Sequence, residues 1–206
     1  MPGARGQGVW VTAPSSRPSL CIAQEETADR LLSENPYALV VGMLLDQQFP
    51  MERAFAGPAR LAERFGDLEP VAVAAADPEA FAALCSRTPA IHRYPGSMAT
   101  RIQEVAAHIL AEHGGDTASL WERATSGDEL LGRVQAMPGF GPQKSAIFVA
   151  LLGKQLGVQP EGWQAAAGDY AQAGAYRSVA DVVDADSLVK VRRFKAESKA
   201  AARAKQ

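Results

Sequence analysis

A glycine- and proline-rich segment, Met137–Ala146, carries the most specific pattern in the sequence, MPGFGPQKSA. Gly139 and Gly141 flank Phe140, and apolar helical patterns lie on both sides. Two glycines at this spacing allow a tight turn with positive φ and a close approach by another backbone, because no Cβ intervenes. N–H groups in the turn and in the first turn of the next helix lack intrahelical acceptors and suit a phosphate. The segment predicts a hairpin that grips a DNA backbone without reading bases, with Phe140 pinning it to the core.

The same turn has a second possible use and a plainer alternative. The carbonyl groups of Met137 and Gly139 are placed to hold a monovalent cation, K+ or Na+. The alternative is an ordinary connection between two helices, since the bare pattern PGxG is common. The contact residues predicted for DNA around the turn are Gly139, Phe140, Gly141, Gln143, Lys144 and Ser145.

The segments around this turn have helical signatures. Asn35-Pro36 and Asp77-Pro78 each combine an N-cap residue with proline at the first helical position. Ser126 and Glu129 are spaced as a capping box. No convincing β alternation is present, so the predicted fold class is all-α. The predicted helices cover residues 36–48, 51–65, 78–85, 102–113, 126–137 and 143–153, with further helices after Asp169 and a loop from 154 to 168.

Composition narrows the class of protein. The chain has 206 residues and 47% hydrophobic residues, which is enough for a folded domain with a sizeable core. We expect a disordered tail at residues 1–20, one domain at 21–195 with the hairpin at 129–153, and a basic tail at 196–206. No apolar run is long enough to span a membrane and no signal peptide is evident, so we expect a cytoplasmic, nucleoid-associated protein. The net charge of −2 does not favour nucleic-acid binding, but seven basic residues lie between Lys190 and Gln206.

Three segments together resemble the helix-hairpin-helix-GPD superfamily of DNA glycosylases, the endonuclease III-like proteins. The stretch LLGRVQAMPGFGPQKSAIFVALLGKQLG is similar to that family's hairpin, and MLLDQQFPMERAF is similar to its helix ending in Leu-Leu-x-x-Gln. A third stretch, YPGSMATRIQEVAAHILAEHGGD, lies between them in the family's order. The resemblance implies an endonuclease III-like helical fold in which two helical lobes flank a DNA-binding cleft.

The resemblance also implies a catalytic carboxylate after the hairpin. In the family an aspartate follows a Gly/Pro-rich loop, and Asp169 follows such a loop here, in AAAGDYAQAG. A buried carboxylate facing the sugar stabilises the positive charge that develops when an N-glycosidic bond breaks, or aligns water for attack. The alternative for Asp169 is a helix N-cap, and the two roles are compatible. Asp181 and Asp184 are the fallback candidates.

A base-excising enzyme must also take its base out of the stack and fill the gap. Gln48 matches the family position of an intercalating or base-contacting residue, and the adjacent Gln47 is able to share that role. The alternative is a pair of exposed polar residues closing a helix. Residues considered for the base pocket are Asp46, Trp163 and Tyr170, with His92, Tyr94 and Tyr37 as further lining candidates.

Two departures from the family pattern refine the expected chemistry. Strand-cleaving members carry a lysine two residues after the second hairpin glycine, where this chain has Gln143; Lys144 lies one residue later, turned about 100° around the helix. We therefore expect a monofunctional enzyme, with Lys144 contacting phosphate or solvent. The two cysteines, Cys21 and Cys85, cannot make a four-cysteine iron–sulfur cluster. We expect no cofactor beyond the possible cation at the hairpin. The Gln47-Gln48 pair and the lack of a lysine at position 143 lean towards the alkyl-purine branch of the superfamily.

The sequence thus predicts a glycosylase that removes a damaged base from duplex DNA. Two alternatives stay open: a non-catalytic module that uses the hairpin only to bind DNA, and a protein-interaction domain that has lost DNA binding. A monomer is the default expectation.

Overall fold

The computed structural model describes residues 19–204, and their architecture is helical throughout. No strand occurs among these residues, which confirms the predicted all-α class. Short 3₁₀ turns lie at Gly168–Ala171 and Val179–Asp181. The α-helices are α1 Glu26–Glu34, α2 Pro36–Leu45, α3 Met51–Phe55, α4 Gly57–Phe65, α5 Pro70–Ala75, α6 Pro78–Ser86, α7 Pro95–His113, α8 Ser119–Glu122, α9 Gly127–Ala136, α10 Pro142–Gln155, α11 Trp163–Ala167 and α12 Ala185–Ala204.

The first lobe consists of α1–α7 packed around α2. Every residue of α2 from Tyr37 to Leu45 is buried, as its continuous apolar sequence predicts. Asn35 caps this helix, because its side chain accepts the N–H of Ala38. Helix α7 lays its apolar face on α5 and α6 and ends at Gly114, whose φ is +61°.

The second lobe consists of α8–α12, and it packs around α10. Helix α9 begins at the cap of Ser126, whose hydroxyl accepts the N–H of Glu129. Glu129 does not complete the expected capping box, because its carboxylate accepts from Thr125 instead. The tight packing of α9 against α11 requires Gly127, since a Cβ there would lie 2.5 Å from the backbone of Gly162.

The two lobes meet where α2 ends. Gly139 of the hairpin lies against Leu44, and Lys144 of α10 reaches the last carbonyl groups of α2. Helix α12 adds two ion pairs to the first lobe, Arg192 with Glu52 and Lys195 with Asp46. The hairpin, the end of α2 and helix α12 therefore meet at this junction.

Several predicted boundaries differ from the observed ones. Helix α2 ends at Leu45 rather than near Gln48, and the helix expected over 51–65 is divided at Ala56. The expected loop before Asp169 contains α11, while only 3₁₀ turns lie between Asp169 and α12. Apolar Trp163 explains the difference, because it packs into the second lobe and folds the loop locally into a helix.

The proposed boundary between domain and basic tail, after residue 195, falls inside α12, which continues without a break to Ala204. The tail expected at residues 1–20 lies almost wholly outside the described residues. Among the helices of the described chain, none has the length and apolar character needed to cross a membrane.

Candidate active site

The hairpin is held rigidly between the two lobes. Phe140 is 4% exposed and its ring lies 6.0 Å from that of Phe148, so it pins the hairpin to the core as predicted. Gly139 has a φ of +83°, and a Cβ at this position would lie 2.8 Å from a methyl group of Leu44. The positive φ and the close approach both require glycine.

The hairpin exposes unpaired backbone donors. Within the described chain no hydrogen bond engages the N–H groups of Gly139, Gly141 or Gln143, and all three residues are exposed. The N–H of Phe140 is already used, because it donates to the carbonyl of Met137 at 3.1 Å. The free donors lie at the positive end of the α10 dipole, which is the environment that binds a phosphate.

Ser145 does not belong to this exposed set, so its prediction as a DNA contact is wrong. Its side chain is fully buried, and its hydroxyl lies 3.0 Å from the carbonyl of Gly141 and 3.4 Å from that of Phe140. Its N–H also donates to Gly141. Ser145 therefore fixes the shape of the turn.

Lys144 also differs from its prediction. Its ammonium donates to the carbonyls of Met43 and Leu44 at 2.9 and 2.7 Å, instead of pointing to phosphate or solvent. These carbonyls belong to the last turn of α2 and have no intrahelical partners, so the lysine caps the helix from the other lobe. Burial lowers the pKa of Lys144 to about 8, with nearby Asp46 opposing this change.

The three polar residues that follow α2 lie in different surroundings. Gln47 is half-buried; its side-chain amide donates to the carbonyl of Leu44 and lies 3.4 Å from Arg101. Gln48 is exposed and has a φ of +52°, a strained value for a residue with a side chain. Asp46 faces Lys195 across 3.6 Å and does not line the pocket around Asp169.

A second groove lies beside these glutamines. His92 is buried beneath it, with Nε2 at 3.0 Å from the carbonyl of Gln47 and Nδ1 accepting the N–H of Tyr94. Burial lowers the pKa of His92, so its neutral form is favoured. The groove is lined by Gln47, Gln48, His92, Tyr94, Ser97, Met98 and Arg101.

The pocket around Asp169, which we call the Asp169 pocket, has a volume of about 540 Å³. This volume falls in the range of small-molecule sites, about 300–1,000 Å³. Gln143 enters it from the first turn of α10, and its amide donates to the hydroxyl of Tyr170 at 2.9 Å. The lining residues are Gln143, Ile147, Asp169, Tyr170, Arg177, Phe194, Lys195 and Ser198.

Asp169 itself is neither buried nor a helix cap. Its side chain is 80% exposed and forms an ion pair with Arg177 at 3.1 Å. The expectation of a buried carboxylate is therefore wrong for the part of the chain that the structure describes, where the Asp169 side chain faces solvent. Its carboxylate caps no helix, so the N-cap alternative is also not observed.

The other acidic candidates have structural roles. The side chain of Asp181 is 6% exposed, pairs with Lys154 at 2.6 Å and accepts the N–H groups of Arg177 and Ser178. Asp184 accepts the N–H of Ser187, and this hydrogen bonding lowers the pKa of its carboxyl group. Neither lines the Asp169 pocket.

Two aromatic candidates belong to the core. Trp163 is 8% exposed, and its ring fills the space beside Gly153 so closely that no Cβ fits there. Tyr37 is buried and donates its hydroxyl hydrogen to the carbonyl of Ile102. The base-pocket prediction for Trp163 is therefore wrong, whereas Tyr170 does line the Asp169 pocket.

Sequence reasoning missed Arg177 and the residues of α12 that line the pocket. Arg177 follows no motif, and Phe194 and Lys195 lie in a stretch that reads only as a basic helix. The single available signal was the positive charge of that stretch. Their role depends on how α12 returns to the junction of the lobes.

A known protein family matches most of the chain. Residues 41–205 match the HhH-GPD superfamily, described as base excision DNA repair protein. The match covers the end of α2, the hairpin and the Asp169 pocket. No protein with a curated functional description is similar enough to match.

Proposed function

Because the chain belongs to the HhH-GPD superfamily of base excision DNA repair proteins, whose substrate is DNA, we propose that it is a monofunctional DNA glycosylase. It hydrolyses the N-glycosidic bond of a damaged base in duplex DNA. The observation that carries this proposal is the position of Gln143. This residue belongs to the phosphate-binding turn and also lines the Asp169 pocket, so a gripped backbone would lie next to a space for a base.

The described residues suggest a sequence of events. The free N–H groups of the hairpin bind a phosphate without reading sequence. The base leaves the stack, and Gln48, exposed at the junction, enters the gap. The C1′–N bond then breaks with its electron pair leaving on the base nitrogen, while Asp169 stabilises the positive charge on the sugar. A water oxygen bonds to C1′, and its released proton is taken up by the departing base.

The side chain at position 143 supports hydrolysis over strand cleavage. The carboxamide of Gln143 is not a nucleophile able to form an imine with the sugar. Lys144, the nearest amine in the sequence, donates instead to the last carbonyl groups of α2. Alkylated bases are one candidate class, favoured by the sequence features described above.

Release of damaged bases tests the proposal directly. Duplexes carrying alkylated, deaminated or oxidised bases are incubated with the protein, and alkali then reveals abasic sites as strand breaks. We expect breaks only after alkali, and their loss in Asp169→Asn with DNA binding retained. Strand breaks without alkali in the wild type would contradict the monofunctional assignment.

Replacing Gln143 tests the assignment at the level of one side chain. Gln143→Lys places an amine beside Asp169, so we expect borohydride to trap a covalent protein–DNA adduct with this variant and not with the wild type. Lys144→Met is the matched control. If trapping is lost when Lys144 is replaced, Lys144 forms the adduct and not the lysine introduced at position 143.

A non-catalytic DNA-binding module is the second candidate. The observation that favours it is the 80% exposure of Asp169, because a solvated carboxylate stabilises a sugar cation less than a buried one. Salt-dependent binding to duplexes, with no base released from any of them, would support this candidate.

The hairpin remains a candidate cation site within the proposal. The carbonyl of Met137 is engaged by the N–H of Phe140, whereas no hydrogen bond of the described chain uses that of Gly139. Carbonyl oxygens suit K+ or Na+, and a dependence of DNA affinity on the identity of the monovalent cation at constant ionic strength would support this site.

A further inference from the structure

The Asp169 pocket contains more positive than negative charge. Arg177 and Lys195 line it, and among the described residues that line it Asp169 is the one carboxylate. Lys195 pairs with Asp46 at 3.6 Å, but Asp46 does not line the pocket, and the side chain of Lys195 is 43% exposed. The balance of charge facing a bound molecule is therefore cationic.

The uncharged polar groups of the pocket add a further donor. Gln143 donates its amide hydrogen to the oxygen of Tyr170, so the phenol keeps its own hydrogen for another acceptor. The described chain offers no second partner for this hydroxyl, and Tyr170 is only half-buried. Tyr170, Arg177 and Lys195 thus provide three donors towards one space.

The apolar part of the pocket is suited to a flat ring. Phe194 of α12 and Ile147 of α10 are half-buried and lie among the lining residues. The guanidinium of Arg177 lies 5.6 Å from the centre of the Phe194 ring, in a cation–π contact that orients both side chains. A planar base is a natural occupant of a space with such walls.

We propose that Lys195 of α12, together with Arg177, selects a neutral base that carries additional carbonyl groups and disfavours a cationic, N-alkylated base. This inference rests on the proposed glycosylase function and names its substrate class. It differs from the alkylated class towards which the sequence features lean, and the reason is the charge that α12 brings to the pocket.

The charge that develops on the departing base leads to the same preference for a neutral base. A neutral base departs with the electron pair of the broken C1′–N bond, so negative charge develops on its carbonyl oxygens, and nearby cationic donors stabilise it. A cationic alkylated base departs neutral and gains nothing from these donors. It must also enter a pocket that already carries excess positive charge, which disfavours its binding.

Charge reversal on α12 tests the proposal. Single-turnover release is measured for hypoxanthine and uracil, which are neutral and carry a carbonyl in place of an amine, and for the cationic N7-methylguanine, after subtraction of the rate without protein. The variants are Lys195→Glu and, as matched control, Lys199→Glu. Lys199 lies one turn further along α12 and does not line the pocket.

We expect the wild type to release the two neutral bases at least about tenfold faster than N7-methylguanine, and Lys195→Glu to reduce that ratio about tenfold. Lys199→Glu leaves the ratio unchanged, even where the loss of a basic residue weakens overall DNA binding. A wild type that prefers N7-methylguanine, or a ratio that Lys195→Glu does not change, overturns the selectivity while leaving the glycosylase function intact. Release of no base by the wild type contradicts both.

Discussion

Helix α10 begins at the hairpin and forms one wall of the Asp169 pocket, yet the two regions are fixed in different ways. The hairpin is held by buried groups, namely the ring of Phe140 and the hydroxyl of Ser145, and by the close packing of Gly139 against Leu44. The pocket is bounded by the exposed side chains of Asp169 and Lys195 and by half-buried Arg177.

The hairpin is thus rigid without a ligand, whereas the side chains of the Asp169 pocket are free to adjust to a bound substrate. Close packing leaves the hairpin one conformation, because a buried ring and a backbone contact cannot move independently of the core. Exposed ion pairs contribute little to stability and are able to rearrange. We therefore expect substitutions at the hairpin to act on folding and DNA grip, and those at the pocket to act on chemistry.

Replacing a phenylalanine by alanine in each region should give the largest difference in the free energy of unfolding. Phe140→Ala should lower the free energy of unfolding by about 3–5 kcal/mol, because it removes a buried ring and leaves a cavity. Phe194→Ala should cost about 1 kcal/mol or less, because that ring is half-exposed. Urea denaturation of the two variants measures both values, and equal losses would show that the pocket is as tightly packed as the hairpin.

A methyl group added to the hairpin should have the next largest effect. Gly139→Ala should lower the free energy of unfolding by about 1–2 kcal/mol, because of its positive φ, and should weaken DNA binding through the contact with Leu44. Gly132→Ala is the matched control in the middle of α9, where a Cβ meets nothing within 4 Å. It should stabilise the protein by up to about 1 kcal/mol and leave DNA binding unchanged, as thermal melts and titrations with duplex DNA can show.

The lowered pKa of Lys144 makes the free energy of unfolding depend on pH. The folded protein lowers its pKa from 10.5 to about 8. Below pH 8 both states carry the proton and the cost of burying the charge is present in full. As the pH rises from about 8 towards 10.5, the unfolded state holds more protons than the folded one, so this cost is relieved.

The stability of the wild type relative to Lys144→Met should therefore increase between pH 8 and 10. Denaturation of both proteins across this range is the measurement, with Lys199→Met as a control for the loss of one positive charge. A difference that is constant with pH would mean that the ammonium of Lys144 is not buried against α2.

The smallest change in stability is expected at Asp169. Asp169→Asn should alter the free energy of unfolding by less than about 1 kcal/mol, because the ion pair that it removes is exposed. Base release should fall strongly at the same time. If Asp169→Asn unfolds the protein instead, the carboxylate is structural and the contrast between the two regions fails.

Much of the fold follows from local sequence signals. The caps at Asn35 and Asp77, the all-round apolar pattern of α2 and the glycine at the end of α7 act within a few residues, so they were readable without the structure. The hairpin was also readable, since its two glycines and the buried Phe140 need only the adjacent helices. The helical turn at Trp163 was not, because the surface on which that ring packs comes from α10.

The candidate site likewise combines features that the local sequence predicts with features that depend on tertiary packing. Tyr170 and Asp169 lie in the predicted pocket, but the exposure of Asp169 and its pairing with Arg177 depend on what covers the loop. The positions of Ser145 and Lys144 next to the hairpin predict that both face DNA or solvent, but each side chain points inward and donates to backbone carbonyl groups. Backbone acceptors need partners, but which side chain reaches them depends on the neighbouring lobe.

The sequence by itself determined the helical class, the glycine turn between α9 and α10 and the absence of a lysine at position 143, because each is a matter of residue type and local spacing. Only the tertiary structure decided which side chains surround Asp169. Arg177 and Lys195 reach the pocket from segments 8 and 26 residues further along the chain, when α12 packs back across the junction of the lobes. Local patterns encode a turn, whereas the charge of a pocket is the sum of contributions that folding brings together.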